Sequence, residues 1–177
     1  MSSEEDITKK ATFLATQARD PARHYQHSQI GYNYRMSNIV AGVGRGQLLH
    51  LEEHKALKKA IYKRYQEAFA DIPEISLNPL NPEGDANCWL TGMLIDATSP
   101  VTPDTVMDAL AEHNIESRPI WKPMHLQPVF EGYDFISASG DAAAAIFDRG
   151  LCLPSDIKNT EEDMDLIIGI VRECFGK

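Results

Sequence analysis

The run from Met36 to about Ala70 is the longest stretch of helical periodicity in the chain, and it limits the fold most. Met36, Ile39, Val40 and Val43 form an apolar stripe, and Leu57, Ile61 and Tyr65 continue it. Ser37 or Asn38 supplies a helix-start cap. Gly42, Gly44 and Gly46 fall inside the expected helix, each disfavoured by about 1 kcal/mol relative to alanine. Glycines alternating along a helix usually serve close packing against another backbone. What precedes them is slight: a helix over Glu4–Ala18, with Ile7, Ala11, Leu14 and Ala18 on one face, then the polar loop "RDPARHYQHSQ". Such elements cannot bury both faces of a long helix, so a second subunit or a missing domain is expected to lie against it.

Beyond Ala70 the pattern changes. Pro73, Pro79 and Pro82 mark "DIPEISLNPLNPEGDA" as a linker, which places a domain boundary there and divides the chain into residues 1–70 and 71–177. "CWLTGMLID" predicts a strand, and "TPDTVMDALAEHN" predicts a helix capped by Thr102 with Pro103 at its first position. "IESRPIW" predicts a second strand, broken by Pro119. "SGDAAAAIFDRG" predicts a helix stopped by Gly150, and "LCLP" a short buried strand. The last helix, "NTEEDMDLIIGIVRECF", turns Met164, Ile167, Ile168 and Val171 inward and carries acidic residues in its first turn. The second half therefore predicts a small α/β layer domain.

Of 177 residues, 43% are hydrophobic and 24% charged, a composition that excludes wholesale disorder. A formal charge of -9 argues against non-specific nucleic-acid binding, yet a few local cations can still hold a small anion. Cys88, Cys152 and Cys174 are odd in number and widely spaced, which suits reduced thiols and neither a disulfide frame nor a zinc site. No apolar run approaches the roughly 20 residues of a membrane span. The opening "MSSEEDITKK" lacks the apolar core of a signal peptide. A cytoplasmic location is the expectation.

Several chemistries find no motif. "GVGRGQ" follows no predicted strand and lacks the spacing of a dinucleotide loop, and neither a G-x-S-x-G elbow nor an H-E-x-x-H pair occurs. His24 and His27 lack a third metal ligand. Two stretches hold the remaining interest. "IGYNYRMSN" crowds Tyr32, Asn33, Tyr34 and Arg35 into one turn, either as a cap packed on neighbouring helices or as a binding arm. In "SRPIWKPMHLQPVF", Arg118, Trp121, Lys122 and His125 alternate with stiffening prolines. Arg and Lys suit phosphate or carboxylate, Trp offers a stacking face, and His donates or accepts. A plain strand-to-helix connection with a buried Trp is the competing reading.

These two stretches, with "GLCLPS", resemble the C-terminal half of a DegT/StrS-type nucleotide-sugar aminotransferase over essentially the whole chain. The resemblance implies the aspartate-aminotransferase-like fold (fold type I), with the long helix followed by a small α/β domain. It implies pyridoxal 5'-phosphate as cofactor, a homodimer with active sites at the subunit interface, and amino transfer from glutamate to a nucleotide-linked keto sugar. Residues 1–70 would be a remnant of the large cofactor domain. Asn33 matches the asparagine that reaches a cofactor phosphate across the dimer, with Tyr32 beside it. His27 and Arg35 fall where the family lines the substrate mouth. Arg118, Trp121, Lys122 and His125 match the segment near the sugar and its diphosphate, where His125 would orient a sugar hydroxyl. The "RPIWKPMH" variant is most like enzymes aminating C4 of UDP-linked 4-keto-6-deoxy sugars for surface glycans.

One departure bears on activity. The family's Schiff-base lysine, with the partners of the cofactor ring, lies before the region this chain matches, and Lys9 and Lys10 are not replacements. No catalytic residue is therefore assigned, and the chain alone is expected to be inert. The alternative is a truncated, non-enzymatic paralogue that binds nucleotide-sugar or pairs with a full-length subunit. A related dehydratase, in which histidine replaces the lysine, also stays open.

Overall fold

The computed structural model describes residues 3–138 and 140–177. The chain packs as two units, the first ending at His50 and the second running Leu51–Lys177. The boundary read from the sequence lies later, at Ala70.

In the first unit, α1 (Glu5–Ala15) ends earlier than its apolar stripe suggested. Gln17 and Ala18 adopt positive φ, 68° and 49°, a left-handed turn in which the helix cannot continue. Residues 32–34 then run back along it: Tyr32 and Tyr34 amides donate to the carbonyls of Leu14 and Ala15, and the Gln17 amide donates to that of Tyr32. Gly31 makes this approach feasible, because a Cβ there would lie 2.5 Å from the Ala18 nitrogen. Helix α2 (Asn38–Leu48) starts at Ser37, whose hydroxyl accepts from the Val40 amide. It buries none of its residues.

The single long helix expected over residues 36–70 is instead two, α2 and α3 (Leu51–Ala68), separated at Leu49 and His50. Periodicity alone missed the break because neither residue is a proline or glycine. The glycines sit within α2, and a Cβ on Gly42, Gly44 or Gly46 would meet nothing within 4 Å.

The second unit is built on a four-stranded antiparallel sheet in the order β1-β2-β4-β3. Strand β1 (Ile75–Leu77) lies within the stretch read as a linker. Three residues between prolines are too few to display a period of two. Strand β2 (Thr91–Ile95) is shorter than predicted, leaving Cys88 and Trp89 outside it. Strand β3 is only Arg118–Pro119, and its edge position is where a sheet tolerates proline. Every residue of β4 (Gly150–Leu153) is buried.

Helix α4 (Pro103–Glu112) has the Thr102 cap and the proline start expected of it. Helix α5 (Ala142–Arg149) is capped by Asp141; Ser139, at the head of the predicted segment, lies outside the described residues. Helix α6 (Glu161–Cys174) opens with a reciprocal Thr160–Asp163 capping box. Its buried residues are Met164, Ile167, Ile170 and Val171, so Ile170 takes the inward place predicted for Ile168, which is only partly buried.

One face of the sheet carries the core. Met93 and Ile95 of β2 and Leu151 and Leu153 of β4 pack with Tyr65 and Phe69, Val106 and Leu110 of α4, and α6. Tyr65 is fully buried and its hydroxyl donates to the Pro154 carbonyl at 2.7 Å. Burial pushes the phenol pKa up, so it remains a donor. Leu94 and Gly150 face the other way, where a Cβ on Gly150 would strike Ile120 and the Ile146 carbonyl, both at 2.6 Å. That second face carries the candidate site.

Candidate functional site

The predicted site residues divide between the units. His27, Tyr32, Asn33 and Arg35 belong to the first; Arg118, Trp121, Lys122 and His125 belong to the second.

In the first unit, the backbone pairing with residues 14–17 holds the Tyr32–Tyr34 segment as an arm. Alternation along extended chain puts Tyr32 and Tyr34 on one side, where their rings stack at 5.5 Å and 16°. Asn33 is exposed, and its Oδ1 accepts only a long 3.4 Å bond from the Arg35 amide. The Arg35 guanidinium has no carboxylate partner among the described residues. An amide with free N–H donors, two residues from an unpaired guanidinium, has the donor types that suit a phosphate group. His27 is committed elsewhere: its Nδ1 lies 2.9 Å from the Gln17 carbonyl oxygen, in a shallow pocket with Ser28 and Gln29.

In the second unit, a cleft of about 680 Å³ opens on the sheet face opposite the core. Its size is within the range of small-molecule sites. Arg118, Trp121 and Lys122 line it together with Trp89, Glu116 and Cys152. Arg118 is paired across β3–β4 with Cys152, which sets it on this face. Its Nε and Nη2 donate to Glu116 Oε1 at 2.8 and 2.6 Å, so its charge is already partnered. Lys122 is exposed and has no carboxylate partner among the described residues. Trp121 is 64% exposed, which removes the reading of this segment as a connection around a buried Trp.

His125 does not line the cleft. It stands in a short 3-10 turn, Met124–Leu126, with Nε2 2.6 Å from Asp141 Oδ2 and its ring stacked on Phe135 at 3.8 Å. The Ala144 amide, and behind it His125, hold the Asp141 carboxyl below the usual carboxylate range.

Three participants escaped sequence reasoning. Trp89 was assigned to a strand and given no site role; it lies outside β2 and is 60% exposed. Asp141 carries no local signal, since it matters only through the ring the fold brings to it; Glu116 stands two residues before Arg118, and that spacing is the signal that could have found it. Burial pushes all three cysteine thiols up, against any nucleophilic role. Among the described residues no three potential ligands gather as a metal site, and no helix is long and apolar enough to cross a membrane.

Residues 1–172 match the model of the DegT/DnrJ/EryC1/StrS aminotransferase family. The chain belongs to that family. It is 42% identical over 177 residues to "Putative pyridoxal phosphate-dependent aminotransferase EpsN" of Bacillus subtilis (strain 168), covering 99% of this chain and 45% of that protein. It is 31% identical to the GDP-perosamine synthase of Caulobacter vibrioides, over 98% of this chain and 46% of the relative. Among solved structures, a DegT DnrJ EryC1 StrS aminotransferase from Brucella abortus superposes with a TM-score of 0.81 at 23% identity, over all of this chain and 46% of that one. The fold is therefore the aminotransferase α/β fold, and the chain spans about half the length of the curated relatives it matches.

Proposed function

We propose that these residues form the C-terminal part of a pyridoxal phosphate-dependent aminotransferase of nucleotide-linked keto sugars. The amino donor is glutamate, and the reaction aminates C4 of a UDP-4-keto-6-deoxy sugar for surface polysaccharide or glycan synthesis. The observation that carries this reading is that a chain of this family has an exposed donor set in each unit: Asn33 and Arg35 in the first, and Lys122 with the tryptophans of the cleft in the second. Residues 1–70 are read as the end of the large domain and 71–177 as the small domain, with α3 the connecting helix.

In this reading the cofactor supplies the carbonyl and the electron sink for amino transfer. Asn33, with Tyr32 beside it, holds the cofactor phosphate of a partner subunit in a homodimer. His27 and Arg35 border the substrate mouth. Lys122 meets the diphosphate, joined by Arg118 when the ligand displaces Glu116, Trp121 supplies stacking area, and His125 orients the sugar. The three unpaired cysteines support a reducing, cytoplasmic setting.

Residues 1–177 by themselves are proposed to be inert, because the imine-forming lysine is not among the positions matched here. The purified chain given pyridoxal phosphate, glutamate and the UDP-linked keto sugar is expected to release no 2-oxoglutarate, and turnover would overturn that claim. A chimera joining these residues to the remaining part of the Bacillus relative is expected to release it. In that chimera Asn33→Ala should lose cofactor on gel filtration, and unchanged retention would remove the phosphate role.

A further inference from the structure

We propose that Trp89 and Trp121 together form a shelf on which the aromatic base of the nucleotide lies, which makes Trp89 a ligand-contacting residue of the cleft. This rests on the nucleotide-sugar reading above and adds to it the surface that meets the base. The two indole centroids are 6.0 Å apart and tilted by 33°. Aromatic pairs in contact sit about 4.5–7 Å apart, so no third ring fits between them, and a ligand ring lies on the outer face of the pair. Both rings are more than half exposed, and neither belongs to the core. Two large apolar rings meeting in water at the wall of a cleft gain by being covered.

The rings are exposed, but the backbone beneath them is fixed. The Trp89 amide donates to Asn87 Oδ1 at 3.2 Å, and the Trp89 carbonyl accepts from Lys58 Nζ at 3.1 Å. Lys58 also donates to the Ser155 carbonyl, which ties the loop before β2 to the end of β4. Cys88, buried directly before Trp89, holds φ at +48°, a conformation that a residue with a side chain seldom adopts. Trp121 stands between Pro119 and Pro123, whose rings restrict the chain on both sides.

Charge completes the fit. Glu116 occupies the Arg118 guanidinium, whereas Lys122, which follows Trp121 in the sequence and lines the same cleft, has no carboxylate partner among the described residues. A flat aromatic group carrying phosphate matches that combination, since the base covers indole and the anion meets Lys122.

Trp89 and Trp121 are the two tryptophans of the sequence, so fluorescence excited in the indole band reports from this shelf alone. The 177-residue chain is titrated with UDP, GDP and pyrophosphate, following fluorescence and heat of binding. At least one nucleoside diphosphate is expected to bind and quench, and pyrophosphate to leave the fluorescence unchanged. Trp89→Ala should weaken nucleotide binding about tenfold, and Trp89→Phe, which keeps an aromatic face, by no more than about threefold. Circular dichroism of both variants should match the parent. If Trp89→Ala binds nucleotide as the parent does, the shelf is overturned and the nucleotide-sugar reading stands. Equal affinity and quenching with pyrophosphate also overturn the shelf, leaving an anion site. No heat of binding with either nucleotide overturns the nucleotide-sugar reading, and the shelf falls with it.

Discussion

His125 Nε2 lies 2.6 Å from Asp141 Oδ2, while the other oxygen of the same carboxylate accepts the Ala144 amide at 2.9 Å and caps α5. One carboxylate thus ties the 3-10 turn of the "KPMH" segment to the start of a helix. Asn caps a helix about as well as Asp but carries no charge. Asp141→Asn is therefore expected to speed amide exchange at Leu126 and Gln127, whose amides close that turn, and to leave Ala144 unchanged. Asp141→Ala should speed all three. Equal protection in Asp141→Asn and the parent would show that the pair does not hold the turn.

Stability should be sensitive at the core of the second unit and indifferent at the exposed α2 surface of the first. Leu151 is fully buried, and Leu151→Ala is expected to cost about 2–5 kcal/mol in urea unfolding. Tyr65→Phe removes the donor to the Pro154 carbonyl and should cost about 1 kcal/mol. Ile39 is 81% exposed, so Ile39→Ala should fall within about 0.5 kcal/mol of the parent.

Acid should destabilise the second unit in a defined window. The Arg172 guanidinium holds the Asp71 carboxyl at about 2, and Lys55 and then Lys59 hold Asp85 at about 2. Unfolded aspartate titrates near about 3.9, so the folded state binds fewer protons between those values. The stabilisation is fully present above about pH 4 and is lost as pH falls through about 2. The double variant Asp71→Asn, Asp85→Asn should flatten the stability profile between pH 4 and 2, and salt should flatten the parent's, because both carboxylates are exposed to solvent screening.

The apolar side of α2 presents Ile39, Val40 and Val43 to solvent. If the proposed homodimer uses this helix, sedimentation should show concentration-dependent self-association that Val43→Glu abolishes without loss of helix content. Unchanged association in Val43→Glu would place the contact elsewhere.

Legibility in the sequence followed the range of the interactions. The caps at Ser37 and Thr102 and the stop at Gly150 depend on neighbours a few residues away, and each stands where its local signal predicted. The break at Leu49, the short strand β1 and the late start of β2 had no local signal, and all three were missed. At the site, the unusual density of polar and aromatic groups in "IGYNYRMSN" and "RPIWKPMH" was visible from residue types alone.

Sequence by itself determined the family, the helix limits set by capping and the absence of a metal or thiol motif, because these depend on residue identity and short spacing. Only the tertiary structure decided which groups meet. Asp141 engages His125, and Trp89 joins Trp121. Both are contacts made when loops and sheet edges fold together, and no periodicity along the chain encodes them.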